Sequence, residues 1–180
     1  MKAIIIKGAS NAGKSSTINE ICRVLEPSEV YHLRINKKDH KKSILVESKI
    51  DKTCESSKTS KIRNNTHIIK VDGKFILVCV GSPTEQCVCI TDILAICKNC
   101  GVDIEYAIIA MRTIERKVGY DTCDELKKLG VDFVIKVISS INPDIVDKND
   151  DNYYTKTKEW KERISEFVAI IRAALSSTCN

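Results

Sequence analysis

Apolar residues recur along the chain at spacings that predict most of its elements. Ala3-Ile4-Ile5-Ile6 is an unbroken apolar run of strand length, the pattern of a strand buried on both faces. Ile18, Ile21, Cys22 and Leu25 then recur at helical spacing. Pro27-Ser28 interrupts the helix, and residues 30–35 alternate as a strand does. Residues 66–71 and 74–80 are apolar runs around Asp72-Gly73, the strongest short-range hairpin signal. Ser82-Pro83-Thr84-Glu85 has the composition of a capping box with proline at the first helical position. It predicts a helix running to about residue 100, where Gly101 is placed to stop it. Residues 104–111 predict another buried strand, and Thr122-Cys123-Asp124-Glu125 predicts a second capping box on a short helix closed by Gly130. The last strand falls at 131–138. After a polar stretch at 139–152, Trp160, Ile164, Phe167, Val168, Ile171 and Leu175 form the buried stripe of a final helix. No internal repeat is visible.

Strands alternating with helices imply a single α/β domain over residues 1–180: a mostly parallel sheet covered on both faces, with one antiparallel strand contributed by the hairpin. Ligands of such sheets bind beyond the carboxyl ends of the strands. That rule selects four places: the loop after Gly8, the turn at 81–85, the loop at 112–119 and the loop at 139–142. Residues 36–65 are polar and charged, with a short helix possible at 44–50. A loop of that length in a small domain is a lid, a binding loop or disordered.

The loop after the first strand carries chemistry. Gly8-Ala9-Ser10-Asn11-Ala12-Gly13-Lys14-Ser15 fits G-x-x-x-x-G-K-[ST], the phosphate-binding P-loop, in the strand–loop–helix context that the motif requires. Gly8 and Gly13 allow backbone angles and close approaches that a Cβ obstructs. The loop, through Ser16, can turn successive N–H groups inward as a nest for anionic oxygens, and the following helix adds its dipole. Lys14 is expected to reach the β- and γ-phosphates, and the Ser15 hydroxyl to hold Mg²⁺. On this motif the chain resembles the P-loop NTPase superfamily. The resemblance implies a three-layer α/β/α fold and binding of a nucleoside triphosphate with Mg²⁺.

The element order also resembles the Ras-like GTPases, yet the further motifs of that arrangement are missing. The hairpin's second strand ends in Gly81-Ser82-Pro83-Thr84-Glu85 rather than Asp-x-x-Gly. The next ends in Met111-Arg112-Thr113 rather than a guanine-reading Asn/Thr-Lys-x-Asp. ATP is therefore expected ahead of GTP. No apolar strand ends in the Asp of a Walker B element, which leaves Glu85 as the nearest carboxylate, either a helix cap or a group that orients water or acceptor. Arg112 and Arg116, in the loop after the strand at 104–111, are candidates to neutralise charge during γ-phosphoryl transfer. Arg34 is a weaker one.

Composition narrows the setting. Nine cysteines without a signal sequence point to a reduced, cytoplasmic protein. No apolar stretch approaches the roughly 20 residues of a membrane span. The net charge of +5 is concentrated in residues 37–63, where nine basic residues face four acidic ones. Such a segment can attract nucleic acid, but it carries no aromatic residue for base stacking, and a solvated surface is the better reading. Cys87-x-Cys89 and Cys97-x-x-Cys100 fall in one predicted helix and read as buried small hydrophobes rather than zinc ligands.

The expected activity is binding of Mg-ATP with γ-phosphoryl transfer to a small-molecule, nucleotide or protein acceptor, or hydrolysis. A nucleotide-dependent switch built on the long loop, and a binding module without turnover, are the alternatives.

Overall fold

A computed structural model describes residues 1–48, 65–141 and 153–177. Its strands are β1 (Lys2–Gly8), β2 (Glu29–Arg34), β3 (Ile44–Glu47), β4 (Thr66–Val71), β5 (Lys74–Cys79), β6 (Ile104–Arg112) and β7 (Asp132–Val137). Its α-helices are α1 (Lys14–Leu25), α2 (Ile90–Asn99), α3 (Thr122–Lys128) and α4 (Lys158–Ser176). The strands form one sheet in the order β3-β2-β4-β5-β6-β1-β7. β5, β6, β1 and β7 are parallel, whereas β4 is antiparallel to both β5 and β2, and β2 is antiparallel to β3.

The apolar run of β1 follows from its position. It lies between β6 and β7, and Ala3 to Ile6 are buried. Ile4 and Ile6 join a core with Ile18, Ile21 and Leu25 of α1 and Trp160, Phe167 and Ile171 of α4. Ala3 and Ile5 face the opposite way, into a second core with Ile90, Ile93 and Ile96 of α2 and Leu126 of α3. Burying each such isoleucine contributes about 1.5–3 kcal/mol. The six residues expected as the inward stripe of α4 are its six buried residues. By contrast β7 is an edge strand paired only with β1 among the described residues, and it leaves Val134, Ile135 and Val137 exposed.

Four expectations are corrected. The sheet is mixed: two strands, β3 and β4, oppose the parallel block, not one. Residues 44–47 form strand β3 rather than part of a helix, because they pair with β2, with Arg34 opposite Ile44 and Tyr31 opposite Glu47. Residues 37–48 of the basic segment therefore include a 3₁₀ turn at His40–Lys42 and strand β3; its remainder, 49–63, and residues 142–152 of the later loop lie outside the described residues. The single helix expected from residue 82 is split. Pro83–Gln86 makes one 3₁₀ turn, Cys87 adopts a left-handed conformation (φ 58°), and α2 starts afresh at Ile90. Of the four cysteines assigned to that helix, only Cys97 is helical, and it is buried. Cys87 is exposed, while Cys89 and Cys100 flank α2. Among the described residues no cluster of His, Cys, Asp and Glu could hold a metal ion, and no helix is long and apolar enough to cross a membrane. Finally, α3 is capped one residue earlier than expected. The Asp121 side chain accepts from the N–H groups of Cys123 and Asp124, and the Thr122 hydroxyl turns to Glu115 instead.

Candidate functional site

The strand ends bring the loops together before any side chain is considered. β1 and β6 run in register with Gly8 opposite Arg112. The Thr113 N–H donates to the Gly8 carbonyl (3.3 Å), and the Ile138 N–H to that of Lys7 (2.8 Å). Three carboxyl ends are thus stitched side by side at one edge of the sheet. Gly8 has to be glycine for a packing reason: a Cβ there would sit 2.8 Å from the Ile138 carbonyl oxygen and 3.1 Å from the Ala12 Cβ. Gly13 has a conformational reason, since it precedes α1 at φ +84° with open space around it. Asn11 also lies in the left-handed region (φ 61°), which Asn tolerates better than most residues.

These turns deliver the chain to the N-terminus of α1, where the first N–H groups have no partner inside the helix. Gly13, the N-cap residue, has no side chain to cap them. The Thr17 N–H is bonded to the Gly13 carbonyl (2.8 Å). Lys14 folds back across the loop, its Nζ donating to the carbonyls of Gly8 (3.0 Å) and Ala9 (2.5 Å). Its pKa is lowered from the usual lysine value, chiefly because burial removes water from the ammonium. Glu85 pulls the other way, and Arg112 adds a smaller lowering. Ser15 Oγ donates to the Val80 carbonyl at 3.3 Å, just past β5. Ser16 is half-buried in the first turn. Ser10 and Ala9 are exposed, and Ala12 is buried beneath them.

Glu85 and Arg112 complete the cluster. The Ser82 N–H donates to one Glu85 oxygen (3.3 Å), so the residue caps its own 3₁₀ turn. Its other oxygen lies 3.2 Å from Arg112 Nη1, with both side chains mostly covered. Glu85 thus acts as the cap of its 3₁₀ turn and also pairs with Arg112. Arg116 is different: it is exposed in the loop that follows β6 and makes no ion pair among the described residues. Of the four places chosen from strand ends, all touch. Ser15 reaches Val80, Glu85 reaches Arg112, and Ser140 Oγ donates to the Asn11 carbonyl (3.4 Å).

Two features had no signal in the sequence. Glu115 in the loop after β6 is half-buried; Thr122 donates to one of its oxygens at 2.6 Å, and the other has no partner among the described residues. Its pKa is raised, burial being the main cause. The second is a cavity of about 480 Å³ beside Glu85, lined by the end of β2 and the start of β4.

Mg²⁺ fits this donor set in a limited way. Ser15 offers one hydroxyl and Glu85 one carboxylate, too few for a protein-built cage but compatible with an ion that keeps its waters and arrives with substrate phosphates. Compared with protein-family models, with curated protein sequences and with solved structures, the chain matches none.

Proposed function

We propose that the chain is a small P-loop NTPase of three-layer α/β/α architecture that binds Mg-ATP through Gly8 to Ser16 and transfers or hydrolyses its terminal phosphoryl group. The observation that carries the reading is the convergence of Lys14, Ser15, Glu85 and Arg112 at one carboxyl edge of the sheet, around an uncapped helix N-terminus.

Backbone N–H groups of the loop hold the phosphate oxygens, and the α1 dipole favours their charge. Lys14 exchanges the Gly8 and Ala9 carbonyls for phosphate oxygens. Ser15 would hold Mg²⁺, which supplies further neutralisation of the phosphate charge when bound. Arg112 lies close enough to affect Lys14, so two cations face the charge that spreads over the γ-phosphoryl oxygens as the bond to the departing ADP breaks. Glu85 orients the incoming oxygen, of water or of an acceptor hydroxyl. Arg112 in turn fixes that carboxylate. The cysteine content and the seven unpaired cysteines among the described residues support a reducing, cytoplasmic setting.

The test is single-turnover conversion of Mg-ATP to ADP with protein in excess. ADP should form with the wild type and fall to background with Lys14→Ala, and Glu85→Gln should slow the step while leaving ATP bound. Conversion that persists in Lys14→Ala rejects the proposal. Binding without any conversion, with small-molecule acceptors added as well as without, would favour the module that holds nucleotide without turnover.

A further inference from the structure

The carboxyl edge of the sheet extends beyond the phosphate loop. β2 is antiparallel to β4, and β4 to β5, so β2 points the same way as β5, β6 and β1. Its last residues and the first residues of β4 therefore sit on the edge that carries Gly8 and Arg112. Between them and the turn after β5 lies the cavity of about 480 Å³, within the range of small-molecule sites. Leu33, Ile35 and Val88 give it an apolar lining. The polar lining comes from His32, Arg34, Lys37, Asn65, Gln86 and Glu85.

Glu85 belongs to both places. It pairs with Arg112 beside the phosphate loop, and it lines the cavity. The wall next to it is held in place: Gln86 donates to the Gly81 carbonyl (2.9 Å) and accepts from the Thr66 hydroxyl (3.1 Å). The Gln86 amide is thus committed to the protein. Arg34 and Lys37 are exposed cations that form no ion pair among the described residues. His32 stacks on His67 with ring centroids 5.0 Å apart. Its pKa is lowered by burial first and by Arg34 second, so it is a neutral hydrogen-bonding group near pH 7. Two cations against one carboxylate select an anionic ligand.

We infer that this cavity is the acceptor subsite and takes a small oxyanion, carboxylate- or phosphate-bearing, held by Arg34 and Lys37 with its reactive end toward Glu85. The inference rests on the proposed phosphoryl-transfer reading for the acceptor role, but the anion site itself does not depend on turnover. It also gives the β2 end a purpose: Arg34 binds the acceptor and is not a second group on the γ-phosphate.

The test fills the phosphate loop with Mg-AMPPNP, verified in each sample, and titrates inorganic phosphate and, separately, succinate. The His32 imidazole resonances are followed by NMR. At least one probe should shift His32 saturably, and Arg34→Ala should weaken that binding about tenfold or more. Lys37→Ala should weaken it in the same direction. A phosphate-only response assigns a phosphate-bearing acceptor, and a succinate-only response a carboxylate. His32 unmoved by either probe, or equal titrations in wild type and Arg34→Ala, overturns the subsite. If Mg-AMPPNP does not bind, the nucleotide reading fails by itself. The same titrations in Lys14→Ala, whose phosphate loop is disabled, then still decide whether the cavity binds anions.

Discussion

Gly8→Ala tests whether the loop that follows β1 is clamped by its neighbours. Gly8 is buried at the end of β1, and its carbonyl accepts from Lys14 and from the Thr113 N–H. The added Cβ would lie 2.8 Å from the Ile138 carbonyl oxygen, 3.1 Å from the Ala12 Cβ and 3.3 Å from the Ile138 Cγ1. The nearest atom is backbone, and Ile138 is tied to β1 by its own 2.8 Å bond to the Lys7 carbonyl. No flexible side chain can swing away from the main clash. Overpacking of this kind costs about 1–3 kcal/mol, and the lost freedom of the unfolded chain returns about 0.4–1 kcal/mol. Taking the middle of each range, the net destabilisation is about 1.3 kcal/mol, or roughly 3–5 °C in Tm for a chain of this size. Urea unfolding should show a lower midpoint with an unchanged slope. A variant as stable as the wild type would mean that the 138–141 segment yields freely and that the loop is not clamped from that side.

Three further predictions concern different parts of the molecule. Gly13 has room for a Cβ but a φ of +84°, so Gly13→Ala should destabilise by about 1 kcal/mol and Gly13→Asn by less, measured by the same unfolding assay. Glu85 raises the Lys14 pKa and Arg112 lowers it, so Glu85→Gln should move the Lys14 titration down and Arg112→Met should move it up. NMR of the Lys14 side chain would show this, and an unchanged titration in both would separate these groups. Burial pushes the thiols of Cys22, Cys79 and Cys97 up to about 12 from a usual value of 9.0. The fold keeps them protonated where the unfolded chain ionises, so their stabilisation is full below pH 9 and is lost as pH rises toward 12. Unfolding midpoints across that window should fall, and maleimide should label Cys87 well before these three.

Much of this arrangement could be read from the sequence wherever one local pattern decides the structure. The run Ala3–Ile6 needs burial on two faces, so it had to be an inner strand, and Gly8 and Gly13 mark the turn between it and α1. The α4 stripe was legible for the same reason, because one helix face covers one core. What could not be read depends on pairing across distance. Ile44 to Glu47 has too few residues to show a period, and its strand form comes from β2. The break before α2 comes from Cys87 in a left-handed conformation, supported by Gln86 reaching the Gly81 carbonyl, and neither glycine nor proline marks it. The direction of β2 is a property of the whole sheet, so the cavity beside Glu85 had no local signature. Arg34 was visible only as a basic residue at a strand end.

The role proposed for residues 8–16 is to hold the phosphates of a nucleotide. Calorimetric titration of Mg-ATP and Mg-GTP into the wild type and into Lys14→Ala measures this directly. Saturable binding of Mg-ATP, tighter than Mg-GTP and lost in Lys14→Ala, is the predicted result. No binding to the wild type, or equal affinity in Lys14→Ala, would contradict it.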